Sequence, residues 1–271
     1  MTSATDRHQI RKWRNFLRSP MFDIVQFITL LFLLGWFFST SFKESGYNWQ
    51  WYQIPKYIFS FNEDGFQAGP LLQGLFITLR ISVISLVAAF GIGLITALLQ
   101  LSHSFVGRAV ARLYLEIIRN TPLLIQIFFI YFVIGPSLGL GRFTSAVLAL
   151  SLFEGAYTSE IIRAGIQSIH RGQWEAAYSL GLNTTDMYIS VILPQAFRRT
   201  LPPLASQAIS LVKDSALVST IAIYDLTMQA QAIVAETFLT FEIWFTVALM
   251  YLCVTVTLSI FVNRLKYRFS G

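Results

Sequence analysis

Glu154, Glu160, Lys213 and Asp214 stand inside otherwise apolar stretches of this chain, and they are its first candidates for chemistry. A charged group at membrane depth is costly and generally faces a cavity, a pathway or an opposite charge. Three carboxyls and an ammonium offer both signs of charge. That mixture suits a ligand bearing its own ammonium and carboxylate, an ion or proton relay, or the acid and base groups of an enzyme. Glu154 lies about a dozen residues into a stretch that begins near Phe143, so at 1.5 Å per residue it is roughly 16 to 18 Å deep. Lys213 and Asp214 lie similarly far in from Pro202-Pro203, a pair that suits a helix start because no N–H donor is needed there. Adjacent residues point about 100° apart on a helix, so Lys213 and Asp214 do not simply neutralise each other. Two readings stay open. In one, Glu154 or Glu160 pairs with Lys213 and fixes helix packing; in the other, part of the group lines a pathway and meets a charged substrate. Gln126 and Tyr131 are weaker cavity candidates, with core or interface packing the plainer reading, and Arg80 either snorkels outward or lines an entrance.

Other chemistries lack their residues. His8, His103 and His170 are scattered with no metal-ligand spacing. No Gly-Lys-Ser or Gly-Lys-Thr forms a phosphate-cradling loop, so this chain is not expected to hydrolyse ATP. The single Cys253 excludes a disulfide framework, and Gly91 and Gly93 read as close helix packing rather than a dinucleotide site. A membrane-embedded enzyme would need a nucleophile or metal beside its carboxyls, and none is evident.

The elements that must position these residues are membrane spans. Hydrophobic residues make up 55% of the 271 and charged residues 13%, too few charges to cover a soluble globule of this size. Mean hydropathy is +0.58. The expectation is an all-α polytopic membrane protein with six transmembrane helices near 22–40, 71–101, 122–138, 143–162, 203–224 and 243–263. Lys and Arg accumulate in short cytoplasmic loops. They are dense in the N-terminal arm (Arg7, Arg11, Lys12, Arg14, Arg18), after the second span (Arg108, Arg112, Arg119), after the fourth (Arg163, Arg171, Arg198, Arg199) and at the end (Arg264, Lys266, Arg268). Both termini and the loop around Glu175 therefore belong in the cytoplasm. The net charge of +6 is accounted for by these inner loops, so no nucleic-acid partner is called for. The first apolar stretch lacks an Ala-x-Ala site and reads as a retained span rather than a signal peptide. Trp49, Trp51, Tyr52 and Tyr57 read as an outer interfacial belt, with contact to an external partner as the alternative.

The loop after the fourth span is polar and basic. Its first helix ends at Gly172, a short amphipathic helix runs from Trp174 to Leu180 and stops at Gly181, and Asn183 to Asp186 caps the next. Trp174, Ala177, Tyr178 and Gly181 are expected roughly on one side, where small residues let another protein approach. The plainer reading is a helix resting on lipid headgroups.

The run Glu175-Ala176-Ala177, three residues, Gly181, nine residues, Val191, one residue, then Leu193-Pro194 resembles the cytoplasmic EAA loop of ATP-binding-cassette importer permeases, with Val191 in place of the more usual Ile. Similarity to the polar amino acid permease branch extends through Arg119-Asn120-Thr121-Pro122-Leu123-Leu124-Ile125-Gln126, the run from Gly155 to Arg163, Leu193-Pro194-Gln195-Ala196 and Lys213-Asp214-Ser215. Many in the branch have Lys-Asp-Thr-Ser where this chain has Lys-Asp-Ser-Ala. The resemblance spans roughly 70 to 265. It divides the chain into a basic cytoplasmic arm (1–21), an added transmembrane helix with an aromatic outer loop (22–69), and a five-helix permease core (70–271) whose coupling loop covers about 166–199.

It further implies a bacterial inner-membrane location and a second permease subunit, identical or related. Two ATPase subunits would bind ATP and Mg, with no cofactor in this chain, and an external amino-acid-binding protein would deliver the substrate. Trp174, Glu175, Ala176, Ala177 and Gly181 would couple to the ATPase. Glu154, Glu160, Lys213, Asp214 and Gln126 are the candidates for the substrate pathway. An ion-coupled transporter or channel is the alternative, since buried carboxyls suffice for it.

Overall fold

Apolar runs punctuated by Pro and Gly fold into helices through most of the computed structural model, which describes residues 20–44, 46–62 and 65–269. The basic arm carrying Arg7, Arg11, Lys12, Arg14 and Arg18 lies outside these residues, as do Glu63 and Asp64; at Lys266 and Arg268 only the backbone is described. The chain divides into two units, one ending at Gln50 and one beginning at Trp51. In the first, α1 (Pro20–Glu44) carries Asp23 in its first turn, where a carboxylate complements the helix dipole. Thr40 Oγ1 donates back to Trp36 O and Phe37 O at 2.8 and 3.0 Å, so its hydroxyl is satisfied inside an apolar helix.

The second unit opens with a departure from the all-α expectation. After a short helix α2 (Pro55–Ile58), strands β1 (Phe59–Asn62) and β2 (Gly65–Ala68) pair antiparallel, Phe59 opposite Ala68 and Asn62 opposite Gly65. Alternation in Phe59-Ser60-Phe61-Asn62 fits a strand period, and Gly65 adopts φ +100°, which favours glycine. Phe59, Phe61 and Phe66 bring their rings together with centroids 5.9, 6.3 and 5.8 Å apart.

The helices that follow are α3 (Pro70–Leu101), α4 (Phe105–Arg119), α5 (Leu123–Phe128), α6 (Gly135–Leu138), α7 (Arg142–Gln167), α8 (Arg171–Ser179), α9 (Thr184–Met187), α10 (Leu193–Asp214), α11 (Leu226–Thr237) and α12 (Thr240–Phe269). Wider π-helical turns at Phe129–Ile134 and Tyr188–Ile192 join α5 to α6 and α9 to α10, and a 3-10 segment, Ser215–Ile221, extends α10. Helices α3 and α7 form the central pair, brought close by small residues. A Cβ on Gly93 would stand 2.5 Å from Thr158 Cγ2, and one on Gly155 would stand 2.9 Å from Ile92 Cγ2. Gly91 faces open space, so the close packing expected of both glycines holds only at Gly93. Ser151 Oγ crosses the same contact to Ser85 O at 3.4 Å.

Among the described residues, two helices are long and apolar enough to cross a membrane, Pro70–Leu101 and Thr240–Arg264, with mean hydropathies of 2.4 and 2.2. Two further pairs pass together with bends, Phe105–Arg119 with Leu123–Leu138 at 107° and Thr184–Ile221 with Leu226–Thr237 at 49°. Length and composition thus support two to four crossings where the sequence led us to expect six. Helix α7 is 26 residues long, but it carries Ser145, Ser151, Glu154, Thr158 and Ser159 at buried positions, so these polar side chains are enclosed by protein. The helix expected from Pro202-Pro203 instead begins at Leu193 with Pro194 in its first turn, and both later prolines lie inside it.

Candidate functional site

The short helix α8 is built to be held from one side and left free on the other. His170 Nδ1 caps its start by accepting from Gly172 N at 3.0 Å, so Gly172 lies inside α8 rather than ending the helix before it. Its end is a Schellman motif: Leu182 N donates to Ala177 O at 3.2 Å and Gly181 N to Tyr178 O at 2.9 Å. Gly181 has φ +74°, a conformation that penalises any Cβ. Ala177 is buried with Ile162, Ile166, Met187, Ile192 and Ala196, and the Trp174 ring meets Tyr188 edge-on at 5.4 Å. Glu175, Ala176, Tyr178 and Gly181 are exposed. The expected single face of Trp174, Ala177, Tyr178 and Gly181 is therefore split. Trp174 and Ala177 anchor the helix to the rest of the chain, while Glu175, Ala176 and Tyr178 are left outward. Arg171 Nε reaches Glu175 Oε1 at 2.9 Å, an exposed i,i+4 pair of small energetic weight.

The partner surface for Ala177 belongs to a long element. Met187, Ile192 and Ala196 lead from α9 through the π turn into α10. Gln195 Nε2 also donates to Gln173 Oε1 at 3.1 Å, and Arg199 reaches Ser168. Deeper along the same helix, Gln207 Nε2 donates to Glu154 Oε2 of α7 at 2.6 Å. Eleven residues separate Ala196 from Gln207, roughly 16 Å of helix.

Glu154 is fully buried, and its Oε1 has no hydrogen-bond partner. The Asp214 carboxyl is its charged neighbour. Glu154 and Asp214 are thus brought together, as their matching depth led us to expect, and Gln207 joins them. The signal for Gln207 was present: it precedes Asp214 by seven residues, about two helical turns on the same face. Lys213 makes no close ion pair with the group, although its charge acts on Asp214. Its side chain is exposed, and neither Glu154 nor Glu160 pairs with it.

Glu160 lies two turns along α7 and answers to other cations. Arg163 grips it through Nε and a terminal nitrogen at 3.3 and 2.8 Å, and Arg119 of α4 stands 3.7 Å away. Gln126 is buried, and its amide serves the backbone. Its Nε2 donates to Ile118 O and Thr121 O, both at 2.8 Å, and so ties together the 107° break between α4 and α5. Tyr131 meets Arg142 Nε at 3.2 Å, and Arg80 lies over the Phe143 ring at 5.2 Å. Among the described residues no group of His, Cys, Asp or Glu is arranged to hold a metal ion.

Comparison with known proteins bears on this geometry. A family model described as "Binding-protein-dependent transport system inner membrane component" matches residues 89–271. The glutamine transport system permease protein GlnP of Escherichia coli (strain K12) is 40% identical over 201 residues, covering 73% of this chain and 92% of that protein. The L-cystine transport system permease protein TcyB of Bacillus subtilis (strain 168) is 43% identical over 169 residues, 62% of this chain and 72% of that one. A chain from the crystal structure of an amino acid ABC transporter with histidines is 38% identical and matches with a TM-score of 0.70, covering 73% of this chain and 94% of its own. Helix α8 and the Glu154–Gln207–Asp214 group both fall within the matched residues, and the chain belongs to the family of binding-protein-dependent transport system inner membrane components.

Proposed function

We propose that this chain is the membrane-spanning permease subunit of an ATP-driven, binding-protein-dependent importer of polar L-amino acids in a bacterial inner membrane. One observation carries the reading: Ala177 is buried against the helix that holds Gln207 and Asp214, while Glu175 and Ala176 on the same short helix are exposed. A soluble ATPase subunit seated on Glu175 and Ala176 would move α8 as a lever, and α10 would carry that movement to the buried polar group. ATP and substrate then bias one two-state element, which is what coupling requires.

In this reading six spans cross the membrane with both termini in the cytoplasm, and residues 22–69 add one helix and an outer aromatic hairpin to the core. Two such permeases, identical or related, enclose the pathway above two ATPase subunits that bind ATP and Mg. An external binding protein delivers the amino acid, and Glu154, Gln207 and Asp214 meet it at mid-membrane. The permeases for glutamine and cystine similar to this chain support an amino-acid cargo. An ion-coupled transporter or channel needs only the buried carboxyls, and it leaves the exposed face of α8 without a purpose.

Proteoliposomes holding the permease and its ATPase, with the binding protein on the outer side, test this directly. Uptake should require ATP, and Glu175→Lys should release the ATPase on co-purification and abolish uptake. Accumulation that persists without ATP overturns the importer reading.

A further inference from the structure

A polar hollow of about 320 Å³ opens beside the Glu160 cluster, lined by Leu115, Glu116, Arg119, Asn120 and Tyr157. It differs in kind from the hollows around Phe90, Phe197 and Leu204, whose walls are almost wholly apolar. We propose that it is a second, cytoplasm-side binding station for an α-amino acid, in which the Arg119 guanidinium takes the α-carboxylate and Glu116 with the Tyr157 hydroxyl takes the α-ammonium. The inference rests on the importer reading.

Arg119 has donors to spare. Glu160 is already held by two nitrogens of Arg163, at 2.8 and 3.3 Å, whereas its contact with Arg119 is 3.7 Å long. A guanidinium presents five N–H donors in a planar fork that matches a carboxylate, so most of the fork on Arg119 is unengaged. Glu116 sits one turn before it on α4, and Asn120 Nδ2 ties the two ends of that turn by donating to Glu116 Oε2 at 2.9 Å and Glu116 O at 2.8 Å. Among the described residues the other oxygen of Glu116 is unengaged. The four charges, Arg119, Arg163, Glu116 and Glu160, sum to zero, so a zwitterion enters without leaving a net charge behind. Tyr157 follows Glu154 by three residues on α7 and precedes Glu160 by three, which sets the hollow one turn from the mid-membrane group on the way to the inner loops. Both ligand groups recognised are common to all α-amino acids, so this station discriminates little between side chains.

The permease–ATPase complex in nanodiscs, without nucleotide, is titrated with L-glutamine and with 4-aminobutanamide, its decarboxylated analogue. A Glu154→Gln/Asp214→Asn background removes the mid-membrane group. In that background glutamine should bind about tenfold or more tightly than the analogue, the scale of one charge-assisted bidentate contact. Arg119→Gln should collapse the ratio to about one, Arg119→Lys should leave an intermediate value, and Tyr157→Phe should weaken both ligands alike. In the otherwise unmodified chain the same collapse appears in one of two binding steps while the other keeps its ratio. A ratio that Arg119→Gln leaves unchanged overturns the proposal, as does background protein that binds no glutamine. Failure of ATP-dependent uptake by the unmodified assembly would instead sink the importer reading, so the two failures are separable.

Discussion

Gln207 on α10 donates a 2.6 Å hydrogen bond to Glu154 on α7, joining the helix that packs on Ala177 to the most buried carboxyl of the central pair. Cutting the amide off strands a buried group. Gln207→Ala should lower stability by about 1–3 kcal/mol, the cost of an unsatisfied buried acceptor. Glu154→Gln keeps the volume and a hydrogen-bonding partner, so its thermal midpoint should stay within a few degrees of the parent while amino-acid uptake falls at least about tenfold, the scale of one lost polar contact to the substrate. Melting curves and uptake rates on the two variants check the pair, and undiminished uptake by Glu154→Gln removes this carboxyl from the pathway.

Two adjacent alanines should behave in opposite ways. Ala177 is 2% exposed and packed against Met187, Ile192 and Ala196, so Ala177→Leu overpacks the site and costs about 1–3 kcal/mol. Ala176 is exposed, and Ala176→Leu should change permease stability by about 0.5 kcal/mol or less. It should nevertheless eject the ATPase on pull-down. Equal melting losses from both substitutions contradict this assignment of faces.

Gly181 holds φ +74° with nothing within 4 Å of the position a Cβ would take, so its requirement is conformational and not one of space. Gly181→Ala should cost roughly 1–2 kcal/mol of local stability. Gly181→Asn should cost less, because Asn tolerates the left-handed region. Hydrogen exchange at the amides of Gly181 and Leu182, which close the motif, reads the local loss, and co-purified ATPase should fall in the same order.

Gly165 on α7 meets Thr200 on α10, where an added Cβ would collide with Thr200 Cγ2. Gly165→Ala should destabilise the pair of helices by about 1–3 kcal/mol. Thr200→Ser removes that methyl group and should recover much of the loss in the double variant. Additive melting shifts would show that the contact is not shared.

The sequence alone made several levels readable. The composition called for a membrane setting, the spacing of Glu175, Gly181 and Leu193-Pro194 carried the family resemblance, and Gly181 followed by Asn183 located the end of one helix and the cap of the next. These are local or periodic signals, set by backbone geometry and by the cost of placing charge in lipid. The pairing of side chains was decided only by tertiary packing. Glu160 looks like a mid-span partner for Lys213 in the linear chain, yet it belongs to Arg163 and Arg119, because three residues along one helix are neighbours and α4 ends beside them. Gln126 looks like a cavity residue and is the staple of a bend. Ala176 and Ala177 are the same residue type in sequence, and only the surface of Met187, Ile192 and Ala196 beneath one of them makes it an anchor and leaves the other exposed. A one-dimensional pattern carries the direction in which a side chain leaves its own helix; what it meets depends on which other helix is packed there.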